Sequence, residues 1–137
     1  MTLRRNSFAA LVLGVVLLVG CQDDSPIVSA EIRVPGKTSH PLGAEQVQIL
    51  NTWLAEHRSG WSQLVLATPP ASDLAVDVHR QNGRSGTISF FSQEGWKGAL
   101  MYWGQDPSDN RQGSFNPEQI RGLREALERA PMTPKTR

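Results

Sequence analysis

Two stretches of the chain repeat apolar residues at intervals of three and four, which is the spacing of one face of an α-helix. The first covers residues 44–58, and the second follows the pair Asn116-Pro117. Asparagine is a favoured cap and proline is well tolerated at the first helical position, so this pair marks a helix start. The stripes that we expect to be buried contain Val47, Leu50, Trp53, Leu54 and His57 in the first helix, and Ile120, Leu123, Ala126, Leu127 and Ala130 in the second.

Residues 73–91 contain apolar positions on both sides of Gln81-Asn82-Gly83, which predicts a β-hairpin. An Asn-Gly pair favours a two-residue turn, but that register places apolar residues opposite polar ones. A three-residue loop with Gly83 in the left-handed conformation collects the apolar residues on one face. Because a slip of one residue turns every side chain to the other face, the pattern selects the three-residue loop. Its pairs are Val78 with Gly86, Val76 with Ile88 and Leu74 with Phe90.

Two more strands are predicted after the hairpin, over residues 97–103 and, more briefly, around 111–115. This order predicts the α+β class: a small antiparallel sheet of three to four strands, with an N-terminal and a C-terminal helix packed on one face. We expect one face of the hairpin to contact both helices. The residues expected in that contact are Leu74, Val76, Val78, Ile88 and Phe90 of the sheet and Leu50, Leu54, Leu123 and Leu127 of the helices.

The first twenty residues have a different pattern. Arg4 and Arg5 precede an apolar run that starts at Phe8 and contains no charge. The run ends at Gly20 and has 13 residues, roughly 20 Å of helix, which is too short for a hydrocarbon core of about 30 Å. A basic start, a short apolar run and a small residue are typical of a secretory signal peptide, so residues 1–20 are predicted to be removed on export.

The signal ends in Leu18-Val19-Gly20-Cys21, which holds the only cysteine of the chain. This stretch resembles the lipobox of bacterial lipoproteins, in which aliphatic and small residues precede an invariant cysteine. The resemblance covers residues 1–21 alone. It implies that Cys21 receives a diacylglycerol on its sulfur, that cleavage occurs just before it, and that its new amino group is acylated. Gln22, where aspartate would cause retention at the inner membrane, implies transfer to the outer membrane and exposure on its periplasmic side.

The composition after Cys21 predicts the organisation of the mature chain. Residues 21–43 are predicted to be the lipidated cysteine and a flexible tether, because residues 22–43 contain three prolines, two glycines and no helical period. Within them, residues 27–34 have the composition of a short edge strand. Residues 44–131 are predicted to form a single domain, and residues 132–137 a disordered tail.

The charge of the mature chain is close to neutral. Removing the signal takes away Arg4 and Arg5, so twelve basic residues face thirteen acidic ones and the net charge is −1. A balance of this kind indicates no basic surface for nucleic acid or for anionic lipid. The expected contact with the membrane is therefore the lipid anchor.

The sequence contains no constellation of residues typical of catalysis or metal binding. Its three histidines have no neighbouring ligand at the required spacing: His40, His57 and His79. Asp106, Ser108 and Asn110 have the alternate spacing of a calcium loop, but Arg111 and Pro117 stand where that loop needs Gly and Glu. We therefore predict a protein that is not an enzyme and has no metal or cofactor.

The third predicted strand carries large side chains at both parities. If Ile88 and Phe90 face the helices, Phe91 faces away, and bulky residues remain beside it whichever way the third strand is turned. A sheet covered on one side should carry polar residues on the other. Either the tether or Thr68-Pro69-Pro70 covers these side chains, or they form a surface for a protein partner. The candidate contact residues are Phe91, Trp96, Met101, Tyr102 and Trp103.

These expectations favour a membrane-anchored envelope lipoprotein that acts as a protein-binding module without enzymatic activity. Its partner would be an envelope or periplasmic protein. Two roles fit this class: an accessory subunit of an envelope assembly, or an inhibitor or immunity protein against a periplasmic hydrolase. The alternative is a binder of small ligands or cell-wall saccharides, in which the tryptophans provide a platform for sugar rings.

Overall fold

The computed structural model describes residues 25–64 and 69–129 of the chain. The predictions for the signal peptide, for Cys21 and for the tail over 132–137 lie outside these residues. The described residues form seven strands and two helices: β1 (Ile27–Arg33), β2 (His40–Pro41), α1 (Ala44–Glu56), β3 (Trp61–Gln63), β4 (Leu74–Arg80), β5 (Ser85–Phe90), β6 (Ala99–Gly104), β7 (Arg111–Ser114) and α2 (Pro117–Glu128).

All seven strands belong to one antiparallel sheet with the order β2-β1-β4-β5-β6-β7-β3. The prediction of a sheet with three to four strands is therefore wrong, although two helices and an antiparallel sheet are present. Strands β4 to β7 correspond to the predicted ones. The additional strands are β1 and β2, which come from the segment predicted as a flexible tether, and β3, which follows the first helix. Strand β1 lies between β2 and β4 and is not an edge strand.

A β-bulge explains why the alternation of β1 is hard to recognise in the sequence. The pairing of β1 with β4 shifts between Ile27 and Ser29, so the buried positions of β1 are Ile27, Ala30 and Ile32. The bulge inserts one extra residue and breaks the period of two. It also leaves Val28 at 59% exposure, so an apolar residue falls on the wet side.

The predicted hairpin register is confirmed. Val78 pairs with Gly86, Val76 with Ile88 and Leu74 with Phe90. Gly83 has a φ of +87°, the left-handed conformation that the three-residue loop requires. The hydrophobic pattern therefore selected the correct register against the preference of Asn-Gly for a two-residue turn.

Both helices pack on one face of the sheet, as predicted. Asn116 caps α2 by accepting a hydrogen bond from the backbone N–H of Glu118 at 2.8 Å, and Pro117 takes the first helical position. Leu54 packs against the core and is only partly buried. The core cluster of the described residues contains Ile27, Ala30, Ile32, Leu42, Val47, Leu50, Leu74, Val76, Val78, Ile88, Phe90, Leu100, Ile120, Leu123 and Leu127.

A buried glutamine joins the start of α1 to the end of α2. The side-chain amide of Gln46 donates to the carbonyls of Ala126 and Leu127 at 3.1 Å each and of Arg129 at 2.6 Å. Its oxygen accepts from the backbone N–H of Gly43 at 2.9 Å. The carbonyls of Ala126 and Leu127 belong to the last turn of α2 and have no partner within that helix, and Arg129 is the residue that follows it. Gln46 therefore satisfies both helix ends at once and fixes the helices against each other.

Candidate functional site

The second face of the sheet carries two of the predicted contact residues, Met101 and Trp103. The buried residues of both helices belong to the core cluster on the first face, which includes Leu74, Val76 and Val78. No described helix packs on the opposite side. We call that side the open face; its strand residues include Glu31, Arg33, Ala75, Asp77, Thr87, Ser89, Met101, Trp103 and Gln112.

The register of β6 settles which of its side chains face the helices. Leu100 pairs with Phe90, and Tyr102 pairs with Ile88, so both are on the helix side. Met101 and Trp103 are on the open face. Tyr102, a predicted contact residue, is therefore separated from the other candidates by the thickness of the sheet.

The aromatic residues of the open face differ in exposure. Phe91 was expected to be partly exposed, but it is buried, with 4% of its surface accessible, and Met101 is fully buried. Trp96 and Trp103 are half-buried. The Phe91 and Trp96 rings are 5.3 Å apart, and the Trp103 indole N–H donates to Ser89 Oγ at 3.2 Å. We call Trp96 and Trp103, with the buried Phe91 and Met101, the aromatic patch.

A polar network lies beside the aromatic patch. Arg33 donates to both carboxylate oxygens of Asp77, at 2.6 and 3.0 Å, and Thr87 donates to the same carboxylate at 2.8 Å. The hydrogen bond from Arg33 is the main cause that holds the pKa of Asp77 below its ordinary value of 3.8, while partial burial opposes it. Asp77 is therefore ionised at neutral pH and orders this part of the open face.

We expect Asp77→Asn to lower the free energy of unfolding at pH 7 by less than about 1 kcal/mol, because Arg33 is largely exposed and solvent screens the pair. The depressed pKa makes this contribution complete above pH 3.8, and it disappears as the pH falls through the lower pKa of the folded state. Urea unfolding at pH 7 and at roughly pH 2 tests this. Asparagine still accepts from Thr87, so an equal loss at both pH values would contradict the ionic contribution.

A cavity of about 120 Å³ lies on the helix side of the sheet, between α1 and strands β6 and β7. Leu54, Ala55 and Trp61 form its apolar wall, and the remaining lining is polar: Ser25, Asn51, Arg58, Arg80, Tyr102, Asp109 and Arg111. Asn51 holds the start of β1 next to the cavity. Its side chain accepts a hydrogen bond from the N–H of Ile27 and donates one to the C=O of Ile27, each at 2.9 Å. The cavity therefore joins residues that are distant in the sequence.

A glycine in β5 positions the tyrosine of this cavity. A Cβ atom at Gly86 would overlap the hydroxyl of Tyr102. Because glycine has no Cβ atom, the tyrosine can reach Arg80, whose Nε donates to the Tyr102 hydroxyl at 3.2 Å. The Arg80 guanidinium also lies 5.2 Å from the centre of the tyrosine ring, within the range of a cation–π contact.

An aromatic cluster supports the opposite wall of the cavity. The ring of Phe115 lies 5.4 Å from that of Trp61 and 5.0 Å from that of Trp53, in edge-to-face geometry. A Cβ atom at Gly60 or Gly113 would overlap the Phe115 ring, so both glycines make room for it. Phe115 therefore holds Trp61 against the cavity.

One residue of the sequence, Arg80, indicates a polar site on the helix side of β4. Arg80 has the same parity as Leu74, Val76 and Val78, so a charged residue stands at an inward position of β4. A charge at such a position requires a polar partner or a solvent-filled site. The described partners of Arg80 include Tyr102 and the backbone carbonyl of Ser25.

Comparison with protein-family models, with curated proteins and with solved structures finds no match to this chain. In the described ranges 25–64 and 69–129, no three His, Cys, Asp or Glu side chains are placed to hold a metal ion. Neither of the two described helices has the length and apolar character that crossing a membrane requires.

Proposed function

We propose that the protein is a lipid-anchored lipoprotein of the cell envelope whose open face binds another protein. The observation that carries this proposal is the aromatic patch, in which the half-buried Trp103 lies on the sheet face turned away from both helices and the half-buried Trp96 lies against Phe91. A face of this kind is ordinarily polar when it contacts only water. Partly exposed tryptophans are enriched at protein contact sites, where a few such residues contribute most of the binding energy.

Trp96 and Trp103 are the side chains of the patch that a partner can contact, because Phe91 and Met101 are buried. The Phe91 ring lies against Trp96, and Trp103 is held by its hydrogen bond to Ser89. Side chains that are ordered before binding lose less entropy when a partner arrives. The Arg33–Asp77 pair at the side of the patch supplies a polar rim, which interfaces of this type commonly have.

The anchoring part of the proposal rests on the signal sequence and Cys21. The first described strand begins at Ile27, only six positions after Cys21. An extended chain covers at most about 3.6 Å per residue, so β1 begins within roughly 20 Å of the Cα atom of Cys21. This distance is shorter than the tether predicted from residues 21–43, and it supports a contact between the domain and partners close to the membrane.

The test of the proposed contact is Trp103→Ala. We expect partner capture from solubilised membranes to weaken roughly thirtyfold, the usual result of truncating a central tryptophan. The variant also loses a hydrogen bond, so a modest fall in melting temperature is expected, and binding is compared where both proteins are folded.

The matched control is Trp53→Ala. Trp53 is also half-buried, but it is stacked on His57 on the helix side, with ring centres 3.9 Å apart. We expect this variant to be destabilised and yet to capture the partner normally. If Trp103→Ala captures the partner as well as the unaltered protein, the aromatic patch is not the contact surface. If capture instead depends on Trp103, the identity of the captured protein shows whether this chain is an assembly subunit or an inhibitor of a periplasmic hydrolase.

A further inference from the structure

The turn of the β4–β5 hairpin presents an asparagine directly before a glycine. Asn82 and Gly83 are both exposed. Apart from the chain neighbours of Gly83, no described atom lies within 4 Å of the position that its Cβ would take. Glycine has no side chain to shield its backbone nitrogen. This nitrogen can therefore approach the side-chain carbonyl carbon of Asn82 more easily than the nitrogen of a larger residue could.

A hydrogen bond of the turn prepares the carbon that would be attacked. The backbone N–H of Arg84 donates to Asn82 Oδ1 at 3.0 Å. This contact holds the carboxamide close to its own backbone, as asparagine commonly does in turns. It also places a donor at the oxygen that becomes negatively charged when a nucleophile attacks the carboxamide. The electrophile is therefore in place in the folded protein.

A second hydrogen bond restrains the nucleophile. The N–H of Gly83 donates to the carbonyl of Arg80 at 2.9 Å, and the N–H of Arg80 donates to the carbonyl of Arg84 at 2.8 Å. These two bonds close the turn. The nitrogen of Gly83 must lose its proton before it can attack, and the carbonyl of Arg80 shields that proton from solvent. The reaction therefore requires the turn to open.

The first two described residues hold this turn closed. Ser25 Oγ accepts a hydrogen bond from the N–H of Asn82 at 3.0 Å, and the carbonyl of Pro26 accepts one from the N–H of Gln81 at 2.8 Å. The guanidinium of Arg80 donates to the carbonyl of Ser25 at 2.6 Å. The segment that precedes β1 is therefore joined to the turn by three hydrogen bonds, and losing them makes the turn easier to open.

We propose that Asn82 is a site of spontaneous deamidation, and that its contact with the segment before β1 controls the rate. The nitrogen of Gly83 loses its proton to water and bonds to Cγ of Asn82. The C–N bond of the carboxamide breaks, and the nitrogen leaves as ammonia after taking up a proton from water. A second water molecule then opens the succinimide ring at either of its two carbonyl carbons, which gives aspartate or isoaspartate at this position.

The isoaspartate product changes the turn most. Its main chain runs through the former side chain and is one methylene longer between the Cα atom of residue 82 and Gly83. We expect this to displace Gly83 from the carbonyl of Arg80 and to open the three-residue loop. Neither the aromatic patch nor Cys21 takes part in the reaction, so this proposal goes beyond the proposed function and fails or stands separately from it.

The test is peptide mapping by mass spectrometry after incubation of the full-length protein at neutral pH, either folded or in urea. Deamidation raises the mass of the peptide that contains Asn82, and chromatography separates the two products. We expect conversion to be roughly tenfold or more slower in the folded protein, because the turn must open first. Asn110 and Asn116 are internal references in the same chain. In urea Asn82 should convert faster than Asn110, which precedes an arginine, and Asn116 should not react by this route, because the nitrogen of Pro117 carries no hydrogen.

Ser25→Ala tests the control by the segment before β1. It removes the acceptor of the Asn82 N–H, so conversion in the folded protein should rise roughly fivefold, the effect of losing one hydrogen bond. Ser29→Ala is the matched control, since Ser29 is an exposed residue of β1, and it should leave the rate unchanged. Both variants are compared under conditions in which circular dichroism shows them to be folded. Equal rates at Asn82 and Asn110 in urea, equal rates at Asn82 with and without urea, or a Ser25→Ala protein that converts no faster than Ser29→Ala would each overturn the proposal.

Discussion

Replacing Cys21 with serine is expected to abolish membrane anchoring and to leave an unprocessed or soluble protein. Serine offers no sulfur for the diacylglycerol, and the chain contains no second cysteine. One acyl chain binds a bilayer reversibly, whereas two or three hold a protein stably, so loss of the modified residue changes an anchored protein into a released one. Fractionation of membranes, together with the mass of the mature amino terminus, measures this effect.

The mass measurement also gives the control. The unaltered protein should begin at an acylated Cys21, while Gln22→Ala should be processed in the same way and remain in the membrane fraction. An unmodified amino terminus at another residue would contradict the lipoprotein interpretation. Membrane association that persists in the serine variant would show that something other than Cys21 holds the chain.

Leu123→Ala is expected to lower the free energy of unfolding by about 2–5 kcal/mol, the usual result of emptying a buried leucine site. Leu123 is 4% exposed and belongs to the core cluster between α2 and the sheet. The lost contacts and the remaining cavity both destabilise the folded state. Urea unfolding monitored by circular dichroism gives the difference directly.

Ile49→Ala serves as the matched control in the other helix. Ile49 is 37% exposed on α1, so its truncation removes a similar apolar side chain from a site that water already reaches. A much smaller loss is expected there. Equal losses in the two variants, or a Leu123→Ala protein as stable as the unaltered one, would mean that α2 is not packed on the core.

The hairpin shows how far a sequence pattern can determine a fold. Only one register collects the apolar residues of β4 and β5 on one face, so the pairing followed from the sequence. The cap Asn116 and the first-turn Pro117 were equally specific, because each residue type is favoured at one helix position. Local rules decide such features, and tertiary packing does not need to be known.

The additional strands depend on packing that no local rule describes. Strand β1 contains a bulge that breaks its alternation, and β2 and β3 have two and three residues. Segments that short have no readable period. Proline disfavours the interior of a sheet, and Pro41 is accepted in β2 because β2 lies at the edge.

The candidate site was only partly predictable for a related reason. The third predicted strand has bulky residues at both parities, so the sequence left open which of them face the helices. The register placed Met101 and Trp103 on the open face and Tyr102 in the cavity. The approach of Tyr102 to Arg80 depends on the missing Cβ of Gly86, and this contact between three strands cannot be recognised from one segment.

The central claim is that the open face binds another protein, and site-specific photocrosslinking in cells tests it most directly. Gln112 lies on the open face opposite Met101, whereas Gln48 is exposed on α1, on the other side of the molecule. A photoreactive amino acid at each position replaces the same residue type on opposite surfaces. We predict a discrete crosslinked protein from position 112 and none from position 48. A crosslink from position 48 alone would contradict the claim.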